Sequence, residues 1–443
     1  AWTERDFFRA VRHGKGKEGE NLYPAMPYNA YVKVSDQDMH DLWMYMRSVK
    51  PVHNAVPETN LPFPYNLRLA MMGWNLLFFK NAPFKPDLTQ NAEWNRGAYL
   101  VEGLEHCAAC HTAKNLIGGD TSAYLQGSNL SEWYAPEITS NKVTGIGSWT
   151  PEQIVQYLKL GSNHVAVASG PMAEAVTNST QYLTDADLHA IAVYLKSQPG
   201  SDRRKPLALP ADDPQMKMGA NLYEVNCTAC HSSDGTGIPH LAASLANNPA
   251  IIGPDASSLI STVLQGGRGA VTHGNPTSGA MPSFAWKFTD EQVAAVTTYI
   301  RNAWGNAASP VKASEVAGKR DVLKLPPQMP AQSGDSRLRL TRPPPVAGLL
   351  RVPHPLINPV IIGLPPQGVA GFQHRHMPEP IFLQYPGRGR VFRHDHRFQG
   401  TDAHLPEGKV THCLQCLTGN AAPLGSHCDR IPDFRDVRHL ITV

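Results

Sequence analysis

The 443-residue sequence contains no apolar run of the roughly 18 residues that a membrane-spanning helix requires. An excess of charge of one sign is also missing, because the formal net charge is only +3 and charged residues make up 17% of the chain. This balance gives no reason to expect a nucleic-acid partner. Hydrophobic residues make up 42%, enough for packed domains, and the length predicts two to four of them.

Cysteine is scarce, and four of the seven residues fall in two copies of one motif. The motif Cys-x-x-Cys-His occurs at Cys107, Cys110 and His111, and again at Cys227, Cys230 and His231. It is typical of c-type haem attachment, in which both thiols bond to the haem vinyl groups and the imidazole ligates the iron. A redox disulfide or half of a zinc site also uses Cys-x-x-Cys. No further cysteine accompanies either motif and no alternating strand and helix pattern surrounds it, so we favour haem.

Two methionines are candidates for the sixth iron ligand. Met172 is the only Met between residues 107 and 200, and Met281 is the only Met between residues 227 and 310. Each follows a Gly/Ser-rich stretch that predicts a loop, 61 and 50 residues after the histidine of its motif. A thioether ligand makes an electron-transfer site of raised potential, whereas an open position permits binding of small molecules.

A histidine that ligates a metal usually donates its other ring N–H to a carbonyl group. Pro239 follows a Gly-rich loop after the second motif, and we expect its carbonyl to accept from His231. A purely structural turn at Pro239 is the alternative. The sequence assigns no partner to His111.

A repeated pattern indicates three related segments, at residues 23–48, 169–197 and 278–302. In each, a methionine is followed after a gap by an N-cap residue (Ser35, Thr184 or Thr289) and then by apolar residues at helical spacing. Met26 would be the ligand in the first copy, which contains no Cys-x-x-Cys-His. We therefore expect about half a domain to be missing before residue 1.

Residues 67–79 contain about a dozen apolar positions, interrupted by Arg68 and Asn75. They predict a helix, and two interpretations of it are open. The helix could lie in a membrane interface or against a partner, or it could pack as a linker between domains.

The sequence resembles the trihaem cytochrome c subunit of bacterial membrane-bound dehydrogenases, which serves quinoprotein alcohol dehydrogenase and flavoprotein gluconate, sorbitol or fructose dehydrogenases. The resemblance covers residues 1 to about 320. Besides the haem motifs, it rests on residues 96–112, 135–154 and 295–311. These segments are specific to the family but not to one substrate, and the missing first haem motif and the C-terminal tail depart from it.

The resemblance implies an all-α fold of tandem cytochrome c domains, one partial and two complete, plus a largely irregular tail. The complete domains are expected at residues 93–200 and 215–310, and Gly97 and Gly219 would let two helices cross closely in each. The remaining expected segments are the C-terminal part of a domain that lacks its motif (1–50), a linker with the amphipathic segment (51–92), a second linker (201–214) and the tail (311–443).

The implied function is electron relay, with no catalysis by this chain alone. A separate catalytic subunit carrying pyrroloquinoline quinone (PQQ) or FAD would oxidise an alcohol, polyol or sugar acid, and electrons would pass between haems to ubiquinone. Two haem c groups are expected here and a third in the fuller family pattern. The expected location is the periplasmic side of the cytoplasmic membrane, peripherally on its surface. The alternatives are a dihaem peroxidase, which needs one iron without Met, and a cytochrome subunit of another respiratory complex.

The tail differs from the rest of the chain. Eighteen of the chain's 38 prolines and nine of its 19 histidines follow residue 309. This composition predicts a disordered or out-of-frame segment. Cys413 and Cys416 are followed by Leu417 where a haem ligand would stand. A zinc cluster with Cys428, His412 and His427 is the alternative to an accidental arrangement, which we favour.

Overall fold

The computed structural model describes residues 2–55, 60–63 and 66–325. Most of the predicted irregular tail (311–443), with Cys413 and Cys416, lies outside the described residues. Its first part is not irregular, because Ala313–Val322 form a helix, with Val311 and Val316 buried in the core. Within the described part, helices predominate and the strands are two short antiparallel pairs, so the expected helical fold class is confirmed at that level. No described helix combines the length and the apolar character needed to cross a bilayer.

The N-terminal region (residues 2–48) contains three helices, and a fourth follows it. They are α1 (Glu4–His13), α2 (Tyr28–Tyr31), α3 (Asp36–Ser48) and α4 (Ala70–Phe78). A small cluster of Val11, Val34 and Met39 forms the buried centre of the N-terminal region. Helix α4 covers most of the predicted apolar segment at residues 67–79.

The Cys107 region (residues 92–199) contains the first haem motif. Its elements are α5 (Ala92–Tyr99), which continues into a π-helical turn (Leu100–Leu104), then α6 (Ala108–His111), β1 (Ser128–Leu130), β2 (Trp133–Ala135), α7 (Pro151–Leu160), α8 (Pro171–Asn178), a 3-10 turn (Thr180–Tyr182) and α9 (Asp185–Ser197). Strands β1 and β2 pair antiparallel, with Ser128 opposite Ala135. Its core includes Leu125, Leu188 and Ile191.

The Cys227 region (residues 214–325) contains the second haem motif. Its elements are α10 (Pro214–Asn226), α11 (Thr228–His231), α12 (Pro249–Ile252), α13 (Ser257–Gln265), β3 (Gly267–Arg268), β4 (Ala280–Met281), α14 (Asp290–Asn302) and α15 (Ala313–Val322). Strand β3 pairs antiparallel with β4. Leu264, Val293 and Val296 lie in a core separate from that of the Cys107 region.

The three predicted N-caps are confirmed. Ser35, Thr184 and Thr289 each accept a hydrogen bond from the backbone N–H three residues later, at 3.1 Å in every case. At Thr289 the side chain of Gln292 also accepts from the cap's own N–H, which completes a capping box. These bonds fix the starts of α3, α9 and α14, the helices that end the three repeated segments.

Two helix crossings depend on glycine. A Cβ atom at Gly97 on α5 would lie 2.0 Å from the carbonyl oxygen of Ala190 on α9, and one at Gly219 on α10 would lie 2.2 Å from that of Ala295 on α14. Real Cβ atoms do not approach backbone oxygen that closely, so only glycine permits these crossings. The close helix packing expected from the resemblance is present in both regions.

The Cys107 and Cys227 regions pack directly against each other. Residues at the β1–β2 turn and on β2 contact α13 and α15: Ser258 Oγ donates to the Tyr134 carbonyl at 3.0 Å, and Ser261 Oγ donates to the Glu132 carbonyl at 2.6 Å. Lys319 Nζ donates to the Ser131 carbonyl at 2.9 Å. The hairpin is therefore held mainly through its backbone.

We expect Gly219→Ala to destabilise the protein by about 2 kcal/mol or more, because the added methyl group meets backbone atoms of α14 that cannot move independently. Gly318→Ala is the matched control, since this glycine lies within α15 and an added Cβ atom would meet nothing within 4 Å. That substitution should stabilise by about 0.5–1 kcal/mol. Thermal unfolding of both variants measures the difference, and equal effects would contradict the crossing argument.

Candidate functional site

Each haem motif forms a single helical turn. Cys107 caps α6 and Cys227 caps α11, and the last residue of each turn is the histidine of the motif. The backbone N–H of His111 donates to the Cys107 carbonyl at 2.9 Å, and that of His231 donates to the Cys227 carbonyl at 2.9 Å. The two motifs therefore share the backbone hydrogen bond that closes the turn between the first cysteine and the histidine.

One continuous cavity is lined by residues from both motifs. Cys107, Cys110, His111 and Met172 line it from the Cys107 region. Cys227, His231 and Met281 line it from the Cys227 region. Its walls are largely apolar and include Ile154, Leu195 and Phe284. Cys230 is exposed on α11, and Met26 lies on the surface of the N-terminal region with 55% of its area exposed. The structure thus brings seven of the nine predicted site residues together.

A backbone carbonyl orients each histidine. His111 Nδ1 lies 2.7 Å from the Pro136 carbonyl, and His231 Nδ1 lies 3.0 Å from the Ala243 carbonyl. In each ring Nε2 is left for a ligand. The expectation that Pro239 accepts from His231 is wrong. Residues 238–242 form a turn closed by the bridge between Ile238 and Ala242, and the chain then presents the carbonyl of Ala243 to the ring.

Burial sets the protonation of the motif side chains. It lowers the pKa of His111 and His231, although their hydrogen bonds to carbonyls oppose the shift. It raises the pKa of Cys107 to about 12 and that of Cys227 to about 11. At neutral pH the imidazoles therefore keep a free lone pair for iron, and these two thiols are protonated.

The two methionines lie on regular elements, where the sequence predicted loops. Met172 belongs to the first turn of α8, because Pro171 occupies the first helical position, where its missing N–H costs nothing. Met281 ends the short strand β4, opposite Gly267. Both side chains are partly buried and pack against the cores of their regions. Their positions are therefore fixed by secondary structure and packing together.

A buried indole provides a test of whether haem fits this cavity. Trp149 lines it, and its Nε1 atom is buried without a hydrogen-bond partner among the described residues. An indole N–H can only donate, and a buried donor without an acceptor costs free energy. A haem propionate would supply that acceptor, so the cavity fits the group. Sequence reasoning placed Trp149 in the repeat and in a family-like segment but gave it no role, because the missing partner is visible only in three dimensions.

The other interpretations of the motifs find less support. Cys107, Cys110, Cys227 and Cys230 are all free thiols. Within residues 2–55, 60–63 and 66–325, no three or more His, Cys, Asp or Glu side chains form a group that could hold a metal ion directly. Neither a disulfide nor a zinc site is built from these residues in the structure.

Comparisons with known proteins agree with this geometry. A profile of the cytochrome c family matches residues 85–199 and 216–304. The chain is 38% identical over 346 residues to the fructose dehydrogenase cytochrome subunit of Gluconobacter japonicus, covering 71% of this chain and 70% of that one. It is 38% identical over 336 residues to the gluconate 2-dehydrogenase cytochrome c subunit of Pantoea cypripedii, covering 71% and 76%. The chain belongs to this family of dehydrogenase cytochrome c subunits.

A third relative broadens the family. The cytochrome c subunit of alcohol dehydrogenase (quinone) from Gluconobacter oxydans strain 621H is 36% identical over 336 residues, covering 71% of this chain and 70% of that one. The resemblance inferred from the sequence is therefore confirmed. Membership implies covalently bound haem c in this cytochrome subunit.

A buried carboxylate fixes the loop that orients His111. Glu137 follows Pro136, and its side chain is fully buried in the cytochrome subunit. It accepts from Thr144 Oγ1 at 2.7 Å, and from the backbone N–H and the hydroxyl of Ser201 at 2.8 and 2.7 Å. Arg203 Nη1 lies 3.5 Å from the same carboxylate. Glu137 is thus a positioning residue that ties the predicted linker at 201–214 to the loop beside the haem motif.

Removing this carboxylate should cost stability in a pH-dependent way. Burial raises the pKa of Glu137, but hydrogen bonds from Thr139, Ser201 and Thr144 together outweigh it, so the pKa lies below its ordinary 4.5. The carboxylate therefore contributes stability above pH 4.5, and that contribution is lost as the pH falls through the lowered value. Glu137→Ala should cost about 2 kcal/mol at pH 7, because buried donors lose their acceptor.

Urea unfolding at pH 7 and at progressively lower pH measures this deficit. The deficit should shrink in acid, and the nearly isosteric Glu137→Gln should lose less than the alanine variant. Glu132→Ala is the control, because Glu132 contacts α13 and α15 through its backbone carbonyl. A deficit that is the same at every pH would contradict the assignment.

Proposed function

We propose that this chain relays electrons from a catalytic dehydrogenase subunit, through two haem c groups, to ubiquinone at the periplasmic side of the cytoplasmic membrane. The observation that carries the proposal is the continuous cavity onto which both haem motifs open. Two haems held in adjoining parts of one cavity would exchange electrons directly, without a mobile carrier. The chain associates peripherally with the membrane.

Each haem would be bound by the residues of one motif. Cys107 and Cys110 would hold one haem through thioether bonds, and Cys227 and Cys230 would hold the other. His111 and Met172 would hold the iron in the first site, and His231 and Met281 would hold it in the second. Met26 would ligate the iron of a third haem, whose attachment motif this sequence does not contain. When bound, haem iron supplies reversible one-electron transfer.

The surrounding residues orient the two histidines and keep them neutral. The carbonyls of Pro136 and Ala243 hold the imidazoles in one orientation, and burial keeps the rings neutral. Apolar walls reduce water access, and a low-dielectric surrounding is one way in which a protein adjusts the potential of such a site. Trp149 would donate to a propionate. None of these residues has to move during electron transfer.

The partner would be a catalytic subunit carrying PQQ or FAD that oxidises an alcohol, polyol or sugar acid. Relatives whose names specify fructose, gluconate and alcohol dehydrogenases are 36–38% identical to this chain. Similar identity to subunits of such different enzymes supports a shared electron-transfer role, with the substrate chosen by the partner. A dihaem peroxidase is less well supported, because a methionine from each region lines the cavity.

Haem stoichiometry tests the binding assignment. Pyridine haemochrome analysis should find two covalent haems per chain, and replacing Cys107 and Cys110 with serine should leave one. Replacing Cys413 and Cys416 with serine is the matched control and should leave two. A single haem in the wild type, or a haem lost with the tail cysteines, would refute the assignment.

Reduction and reoxidation of the haems test the proposed electron relay. In the complex with its dehydrogenase subunit, substrate should reduce both haems and ubiquinone should reoxidise them. Met172→Ala or Met281→Ala should lower the potential of the corresponding haem and slow quinone reduction, because thioether ligation raises the potential. Met218→Ala, at a surface position of α10, should change neither. Unchanged potentials in both ligand variants, measured by spectroelectrochemical titration, would exclude methionine ligation.

A further inference from the structure

Helix α4 exposes a continuous apolar surface. Leu69, just before the helix, and Met72 and Leu76 within it follow one another at three- and four-residue spacing, so they share a side of the helix. Leu76 is 86% exposed and Leu69 is 74% exposed, and Met72 and Leu77 are exposed as well. We call these four residues the α4 face. Exposed apolar surface of this kind marks an interaction site more often than chance exposure.

The opposite side of α4 anchors the helix to the protein. Met71 is buried, and Asn75 Oδ1 accepts from the Tyr28 hydroxyl at 2.6 Å. Trp74 Nε1 donates to the Ile117 carbonyl at 3.1 Å. The helix therefore packs as a linker on one side and keeps the α4 face turned outward. This packing matches the linker interpretation of the sequence, and the α4 face is left for the other interpretation.

A second exposed element adjoins the helix. Leu116 and Ile117 lie on the turn whose carbonyl accepts the Trp74 bond, and both side chains are exposed, Leu116 completely. They add exposed aliphatic surface of the Cys107 region next to the anchored side of α4.

The charge around α4 indicates what covers it. Between residues 60 and 86 the sequence contains Arg68, Lys80 and Lys85 but no Asp or Glu. Lys80 directly follows the helix region, and both lysines are exposed. Aliphatic side chains flanked by cations match the boundary between acyl chains and anionic headgroups.

We propose that the α4 face inserts into the headgroup region of a bilayer containing anionic lipid. At nine residues the helix is far too short to span the bilayer, so it would lie in the plane of the interface. Lys80 and Lys85 would contact lipid phosphates while Leu69, Met72 and Leu76 reach the acyl chains. This inference names the surface of the protein that contacts the membrane. It rests on the proposed function only for which membrane that is.

Vesicle flotation with the purified, haem-loaded chain tests the proposal. The wild type should float with vesicles of phosphatidylcholine and phosphatidylglycerol, and much less with phosphatidylcholine alone. Leu76→Glu should reduce binding at least about tenfold, because an apolar anchor is replaced by a charge that anionic lipid repels. Replacing Lys80 and Lys85 with glutamine should remove the preference for anionic vesicles, and added salt should have the same effect on the wild type.

Leu207→Glu is the matched control, because this leucine is 96% exposed on the segment between the two haem regions. It should bind vesicles like the wild type, and all variants should retain the same haem content. Equal vesicle binding by Leu76→Glu and the wild type would overturn the proposal. So would a Leu76→Glu variant that loses its dehydrogenase subunit but keeps its vesicle binding. Failure of ubiquinone reduction with normal flotation would instead count against the proposed function alone.

Discussion

The single helical turn that carries each Cys-x-x-Cys-His motif is the constraint on which the rest of the structure depends. Within that turn the N–H of the histidine bonds to the carbonyl of the first cysteine, which fixes the backbone that carries the thiol and the imidazole. The other elements must then pack around a cysteine and a histidine whose backbone positions are already set. The glycine crossings, the carbonyl behind each imidazole and the methionine elements are arranged around these two turns.

Features set by local chemistry could be predicted from the sequence. The caps at Ser35, Thr184 and Thr289 follow from a hydroxyl placed before an apolar helical pattern, and the structure has all three. The haem motifs are local as well, since five consecutive residues define each one. Features that depend on the path of a loop could not be predicted. The acceptor of His231 was placed at Pro239 instead of Ala243, and the Pro136 carbonyl that orients His111 was not found at all.

The same distinction explains what sequence reasoning missed in the cavity. Trp149 becomes informative only when its buried indole N–H is seen to lack an acceptor, and Glu137 only when Ser201 and Arg203 are seen around it. Both residues lie in a segment that the family resemblance had already marked. The sequence therefore identified the segment, whereas the physical role of each residue requires distances between groups that are far apart along the chain.

The two contacts of the Cys107 region with its neighbours differ in kind. Toward the Cys227 region, two hydroxyls and one lysine donate to backbone carbonyls of the hairpin, and these acceptors remain when side chains change. Toward the N-terminal region the contact includes the ion pair of Lys33 with Glu102. Such a pair, partly open to solvent, weakens as ionic strength rises. The contact between the two haem regions therefore includes bonds to backbone acceptors that do not depend on a solvent-exposed ion pair, which suits electron transfer between groups held in fixed positions.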